Sequence, residues 1–213
     1  MCWTILDLAT PDILQSSLCK TFPIQKLTQT LSKSPSWHIR ATFLAAIRFT
    51  MSDSTETSNS LDTILGSRIV DVFSLLKDDE LEVRRQALVT LNGAAHSKPF
   101  LIQHQLDHLL PLLYRELEPR KELMRTVVMG PFKHTIDDGL EARRSAYEAL
   151  YSVLENLFAS IDNVDEFVSK VIKGLDDQHE IKILCSLMLS RLAAAAPLET
   201  QIRSKFLMRC AKF

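Results

Sequence analysis

One pattern recurs along the chain and constrains its fold more than any other feature. It is an aliphatic residue or alanine, a basic residue, two spacers, a small or apolar residue, three spacers, and usually one more apolar residue. It runs from Ile39-Arg40 to Phe43, from Val83-Arg84 through Ala87 to Leu91, from Ala142-Arg143 through Ala146 to Leu150, and from Ile181-Lys182 through Cys185 to Leu189. Two copies are close over ten residues: Asp78-Asp79-Glu80-Leu81-Glu82-Val83-Arg84-Arg85-Gln86-Ala87 and Asp137-Asp138-Gly139-Leu140-Glu141-Ala142-Arg143-Arg144-Ser145-Ala146. The fourth also follows an aspartate pair, Asp176-Asp177. Self-similarity of this kind predicts a stacked array of like units.

Apolar residues at i, i+4 and i+8 form one stripe on an α-helix, which must be buried on a neighbouring helix. The aspartates ahead of each stripe sit where a helix N-terminus favours a side-chain acceptor and a negative charge, so they read as caps. A further amphipathic stretch precedes each copy, at residues 23–33, 61–77, 99–117 and 164–174. The unit is therefore helix, short turn, helix. Successive aliphatic markers lie 44 residues apart (Ile39 to Val83), then 59 (Val83 to Ala142), then 39 (Ala142 to Ile181). The first and last are near the roughly 40–47 of HEAT and armadillo units. The predicted fold is all-α, a HEAT-repeat α-solenoid of about four helix pairs. With 5 glycines and 8 prolines in 213 residues, turn formers are too scarce for a β-sandwich.

Punctuation agrees with that reading. Thr10-Pro11-Asp12 and Phe22-Pro23 place proline in first turns, where its missing N–H costs nothing. Lys98-Pro99 and Ala196-Pro197 separate helices, and the polar run Ser52–Ser60 reads as a flexible connection. The Leu192–Ala196 run is expected to be a tight packing surface for a neighbouring helix. Residues 1–21 read as the closing helix of a preceding repeat, 22–197 as the array, and 198–213 as a truncated or atypical terminal helix.

The 59-residue spacing is the anomaly, about 15–20 longer than its neighbours. Its surplus lies between Leu123 and Asp138. Thr126, Val127, Val128, Thr135 and Ile136 are β-branched, and Gly130-Pro131 forbids a continuous helix and supplies a turn. Two short β-prone runs around a turn predict a β-hairpin inserted at residues 125–136. Alone in water such a hairpin is marginal. Either it folds back to plug a gap between helices, or it projects as a finger whose Met129-Gly130-Pro131-Phe132 tip enters another protein. Methionine and aromatic anchors at a turn favour the second. The candidate partner-binding residues are Val127, Val128, Met129, Gly130, Pro131, Phe132, Lys133 and His134.

Other functions find little support. Lys plus Arg total 25 against 26 Asp plus Glu, a net charge of −1, so no overall basic footprint marks a nucleic-acid or anionic-membrane binder. Cys2, Cys19, Cys185 and Cys210 are scattered without metal-ligand spacing and read as free thiols in a reducing compartment. No stretch of 18 apolar residues and no signal peptide is evident, so a soluble intracellular chain is expected. His104 and His108 are i, i+4, but Gln105 stands where a metalloprotease places its glutamate, and no third ligand is near. The first arginines of Arg84-Arg85 and Arg143-Arg144 are expected to pair with aspartates of adjacent repeats. No catalytic triad, nucleophilic cysteine or glycine-rich phosphate loop is recognisable. No enzyme activity, metal or cofactor is expected.

The insert and its flanks carry a more specific signal. Lys121-Glu122-Leu123-Met124-Arg125, followed by Met129-Gly130-Pro131-Phe132-Lys133-His134-Thr135-Ile136-Asp137-Asp138-Gly139-Leu140, resembles the C-terminal part of the cullin-associated, neddylation-dissociated (CAND) proteins. Phe49–Asp53, Ala87–Asn92, Ala94–Pro99 and Leu109–Pro111 are similar too, and the match spans most of residues 40–195. These are HEAT-repeat arrays, also described as interactors of the TATA-binding protein. The resemblance implies a non-enzymatic regulator of cullin–RING ubiquitin ligases in the cytoplasm and nucleus. It implies that the C-terminal repeats cover the N-terminal region of a cullin, while the hairpin occupies the substrate-adaptor site and so permits adaptor exchange. Residues 126–136 match that hairpin. It equally leaves a TATA-binding-protein adaptor open, and a partial chain working only with a second chain that bears the preceding repeats. The chain is much shorter than full members, and the basic stretch Gln201–Phe213 is not family-like; a truncated helix is the expectation there. No membrane or direct nucleic-acid contact is expected.

Overall fold

The repeated stripes become helices at the places their spacing predicts. A computed structural model describes residues 24–52, 65–66, 68–129 and 132–195. The expectations for residues 1–21 and 198–213, for Ala196-Pro197 and for the Ser52–Ser60 run lie outside these, except that Ser52 is the last residue of a helix.

The chain divides into two compact units, Met1–Leu157 and Phe158–Phe213. The first contains α1 (Ile24–Ser32), α2 (Trp37–Ser52), α3 (Ile69–Phe73) with a 3-10 turn at Ser74–Lys77, and α4 (Leu81–Ser97). Two 3-10 turns, Pro99–Leu101 and Gln103–Gln105, lead into α5 (Leu106–Glu116), and a third covers Lys121–Leu123. Then come β1 (Met124–Met129), β2 (Phe132–Asp137) and α6 (Leu140–Leu157). The second unit holds 3-10 turns at Phe158–Ser160 and Gly174–Asp176, with α7 (Val164–Lys173) and α8 (His179–Ala195). Among the described residues the elements are four helix pairs and one two-stranded antiparallel insert.

In the first unit α4 lies between α2 and α6. Its stripe, Val83, Ala87 and Leu91, is buried, as are Ala142, Ala146 and Leu150 of α6 and Phe43 of α2. Alanine at the central position of α4 and α6 lets helices approach closely, and polar ties then fix their mutual register. The Thr90 hydroxyl lies 3.1 Å from the Leu44 carbonyl of α2 and 2.7 Å from Gln86 O. Ser152 Oγ of α6 donates to Asn92 Oδ1 of α4 at 2.6 Å. Buried groups satisfied in this way cost little and penalise a slipped register.

Arginines stitch the corners. Arg40 forks onto Asp78, Nε to Oδ2 at 2.6 Å and Nη2 to Oδ1 at 2.8 Å, while its Nη1 donates to Ser34 O. Burial works against the Asp78 charge, but the Arg40 hydrogen bonds, the Glu80 amide and nearby Arg84 outweigh it, and the carboxyl titrates below its ordinary value. Arg84 Nη1 donates to the carbonyls of Asp78 and Asp79 at 2.7 and 2.9 Å. Its Nε lies 3.4 Å from a Glu116 oxygen without hydrogen-bond geometry, so that contact is Coulombic. Glu116 is buried and also meets Arg120.

Two expectations are corrected here. Arg84 reaches the adjacent pair, but its carboxylate is Glu116 rather than an aspartate, because α5 brings that side chain to the corner. Nor is Asp78 the cap residue of α4; that position is Glu80, without a side-chain cap bond. Asp78 instead accepts the Glu80 amide at 3.0 Å, a turn before the helix, while Arg40 holds the same carboxylate.

In the second unit, Asn163 caps α7 by accepting the Glu166 amide at 3.0 Å. Phe167, Val168, Val171 and Ile172 are buried on α7, as are Ile181, Cys185, Met188, Leu189 and Leu192 on α8. Burial and the nearby Asp177 carboxylate push the Cys185 thiol up to about 12. Leu192 is buried and Ala193 and Ala194 are exposed, while residues 198–213, where a following helix is expected, lie outside the described residues. No helix among the described residues is long and apolar enough to cross a membrane.

Candidate functional site

The inserted segment becomes strand because its residues resist helix. Valine and threonine lose side-chain freedom on a helix and suit a pleated surface. The register pairs Met124 with Asp137, Arg125 with Ile136, Thr126 with Thr135, Val127 with His134, Val128 with Lys133 and Met129 with Phe132. Two residues, Gly130 and Pro131, connect the strands. The hairpin expected at 125–136 thus extends one residue further at each end.

Side chains alternate between the faces of a strand, and directly opposed residues share a face. Met124, Thr126, Val128, Lys133, Thr135 and Asp137 fall on one face, and positions 125, 127, 129, 132, 134 and 136 on the other. Among the strand side chains described none is buried, and Val127 and Asp137 are half-buried. Val128 is 65% exposed, Met124 40% and Ile136 38%; Phe49, Val70 and Phe100 elsewhere in the chain are also more than half exposed, so what sets the hairpin apart is that three such residues lie on one strand pair. Of the expected partner-binding residues, Val128, Lys133 and His134 are exposed and Val127 is half-buried. Met129 and Phe132 are paired at the end of the ladder; Gly130 and Pro131 lie outside the described residues.

The base of the hairpin is held firmly. The Asp138 amide donates to Leu123 O at 3.0 Å, closing the two legs. Arg125 and Asp138 form an exposed ion pair at 2.8 Å. Asp137 Oδ1 accepts the Gly139 amide at 2.9 Å and Oδ2 accepts Arg143 Nη1 at 2.8 Å. Arg143 therefore meets an aspartate of its own repeat, where one of an adjacent repeat is expected. Asp137 and Arg143 were legible as parts of the repeat pattern, but nothing in their spacing signals that the pair anchors an insert.

The other candidate constellations do not assemble. His104 lies in a 3-10 turn and His108 in α5, both exposed, so they do not share one helix as expected. No three His, Cys, Asp or Glu side chains gather into a metal-binding group among the described residues.

Residues 101–212 match the family described as TATA-binding protein interacting (TIP20); they include the hairpin and also 201–212, which corrects the expectation that this last stretch is not family-like. The chain belongs to that family. Its relatives carry the CAND name that the insert suggests. It is 44% identical over 160 residues to cullin-associated NEDD8-dissociated protein 2 of Rattus norvegicus, covering 75% of this chain and 12% of that protein. It is 41% identical over 182 residues to cullin-associated NEDD8-dissociated protein 1 of Drosophila melanogaster, covering 84% and 14%. A relative from Emericella nidulans named as the C-terminal part of protein 1 is 43% identical over 164 residues, covering 76% and 15%. The chain thus spans about an eighth of the length of the relatives it matches. A designed armadillo repeat protein in complex with the peptide (KR)4 superposes with a TM-score of 0.67 at 17% identity, over 98% of this chain and 79% of that one. That likeness shows the helical-repeat fold.

Proposed function

We propose that the chain is a non-catalytic cullin-binding scaffold segment that regulates the assembly of cullin–RING ubiquitin ligases by occupying the substrate-adaptor site. The supporting observation is the hairpin at 124–137, none of whose described strand side chains is buried and which carries Val128 at 65% exposure, in a chain whose relatives are named cullin-associated. Apolar side chains left in water on a strand pair are stabilised by a partner that covers them. Val127 to His134 form the contact, with Met129 and Phe132 at its end and Lys133 and His134 supplying polar groups. The scaffold acts in the cytoplasm and nucleus, where its partners assemble.

Pull-down with the N-terminal region of an unneddylated cullin tests this. Wild type binds, and Met129→Ala with Phe132→Ala weakens binding severalfold or more. Equal retention of the double variant would remove the hairpin from the mechanism. The relative named as a C-terminal part supports a variant of this reading in which a second chain bearing the preceding repeats completes the scaffold. Co-expression with such a chain then raises cullin retention.

The family description favours a second reading, an adaptor for the TATA-binding protein. Competition separates the two: if TATA-binding protein displaces cullin from the chain, one surface serves both.

A further inference from the structure

The two most similar repeat copies use the same residues differently, and the difference coincides with the hairpin. Asp78 and Asp137 occupy equivalent positions in the two ten-residue segments, as do Arg84 and Arg143, and Glu80 and Gly139. In the copy without an insert, Asp78 is held by Arg40 from the preceding pair, and Arg84 turns to backbone carbonyls and Glu116. In the copy with the insert, Arg143 reaches back to Asp137, the last residue of β2, and is only 4% exposed.

We propose that Asp137, Arg143 and Gly139 are positioning residues that fix the direction in which the hairpin leaves the helical array. This rests on the reading of the hairpin as the partner-binding element. A guanidinium buried to that degree requires a carboxylate, so Arg143 holds the Asp137 side chain in one place. The second Asp137 oxygen takes the Gly139 amide, and Gly139 O accepts the Arg143 amide at 3.0 Å in the first turn of α6. One carboxylate thereby joins the end of a strand to the start of a helix.

Gly139 completes the device. A Cβ there would come within 2.8 Å of Leu123 Cδ1 and 3.2 Å of Asp137 Oδ1. Its absence leaves room for the Leu123 side chain and the Asp137 carboxylate at the base of the two legs. The Asp138–Leu123 backbone bond and the Arg125–Asp138 pair close the two legs on each other, and the Asp137 carboxylate ties that closed base to α6. Arg143 acts through Asp137.

The test uses the full chain, the N-terminal region of a cullin as binding probe, and amide hydrogen exchange. Asp137→Asn alone takes a carboxylate away from a buried cation and risks misfolding, so the main variant is Asp137→Asn with Arg143→Gln, and Gly139→Ala is a second that keeps both charges. A variant with residues 125–136 replaced by a glycine–serine linker reports on docking itself, and Asp78→Asn is the control for loss of a corner ion pair. The expected result for the main variant is unchanged protection in α4, at least tenfold faster exchange of the Asp138 amide and the strand amides, and about tenfold weaker binding. Gly139→Ala shifts both readouts in the same direction by less, and Asp78→Asn leaves binding within twofold. If the linker variant loses binding while the main variant binds within twofold of wild type, the positioning role is wrong and docking stands. If the linker variant binds like wild type, docking is wrong, and positioning is then judged by exchange alone: unchanged strand protection in the main variant overturns it.

Discussion

Helix α4 and the β1–β2 hairpin lie within forty residues of one another in sequence, yet they treat apolar side chains in opposite ways. Val83, Ala87, Leu88, Leu91, Ala94 and Ala95 of α4 are at most 1% exposed, whereas Val128 of the hairpin is 65% exposed. The helix folds because its stripe is covered within the chain; the hairpin folds as a strand pair and leaves Met124, Val128 and Ile136 exposed. If the proposed function is right, stability and recognition belong to different segments, and substitutions in the two should separate cleanly.

The largest expected effect comes from the buried side. Leu88→Ala should cost about 2–5 kcal/mol of stability through lost burial and a cavity, measured by urea unfolding, with cullin binding falling only as the folded fraction falls. A smaller loss is expected from Asp78→Asn, about 2 kcal/mol, since hydrogen bonds to charged groups contribute roughly 1.5–3 kcal/mol. The Asp78 pKa is lowered from its ordinary 3.8 on folding. Its contribution is thus fully present above that value and is lost as pH falls below it through the folded pKa. Wild type should lose this increment on acidification and Asp78→Asn should not; parallel acid profiles for the two would break the assignment.

Asn163→Ala removes the α7 cap and should cost about 1 kcal/mol, seen as faster exchange of the Glu166 amide. Smallest in stability is Val128→Ser: away from any covered surface it should stay within about 0.5 kcal/mol while lowering cullin retention severalfold. A large stability loss there would mean that the hairpin belongs with the core after all, and the contrast with α4 would fail. Cys185, with its thiol pushed up to about 12, should resist alkylation at pH 8 until the chain is unfolded, as followed by mass spectrometry.

The helices were legible because their information is local. The i, i+4, i+8 stripe ending at Leu91, Leu150 and Leu189 needs no knowledge of the neighbouring helix to announce a buried face. The hairpin was legible for the same reason, from β-branched residues on both sides of Gly130-Pro131. What sequence could not supply was the choice among chemically equivalent partners. Arg84 and Arg143 stand in the same local pattern, and their partners differ because α5 delivers Glu116 to one corner while the inserted strand delivers Asp137 to the other. Similarly, Asp78 reads as a helix cap from its neighbours alone, but an arginine 38 residues away claims its carboxylate. The 3-10 turns at 99–105, which separate His104 from the helix of His108, follow Lys98-Pro99 and shorten α5 by a turn and more than the amphipathic stretch suggests. For the candidate site, the strands and their flanking residues were readable, whereas the clamp at their base was not.

The equal length of the two strands has a consequence for how such an element changes over time. Six paired residues at about 3.3 Å each give a span of roughly 20 Å, and the pairing is continuous from Met124–Asp137 to Met129–Phe132. Adding two residues to each strand lengthens that span by about 7 Å and leaves every side chain above the graft pointing as before. Adding one to each turns the whole tip over. Span and presented face are thus separate dials, adjustable by short insertions without disturbing a single helix, and a structure of this kind can be refitted to a new groove far more cheaply than the array that carries it.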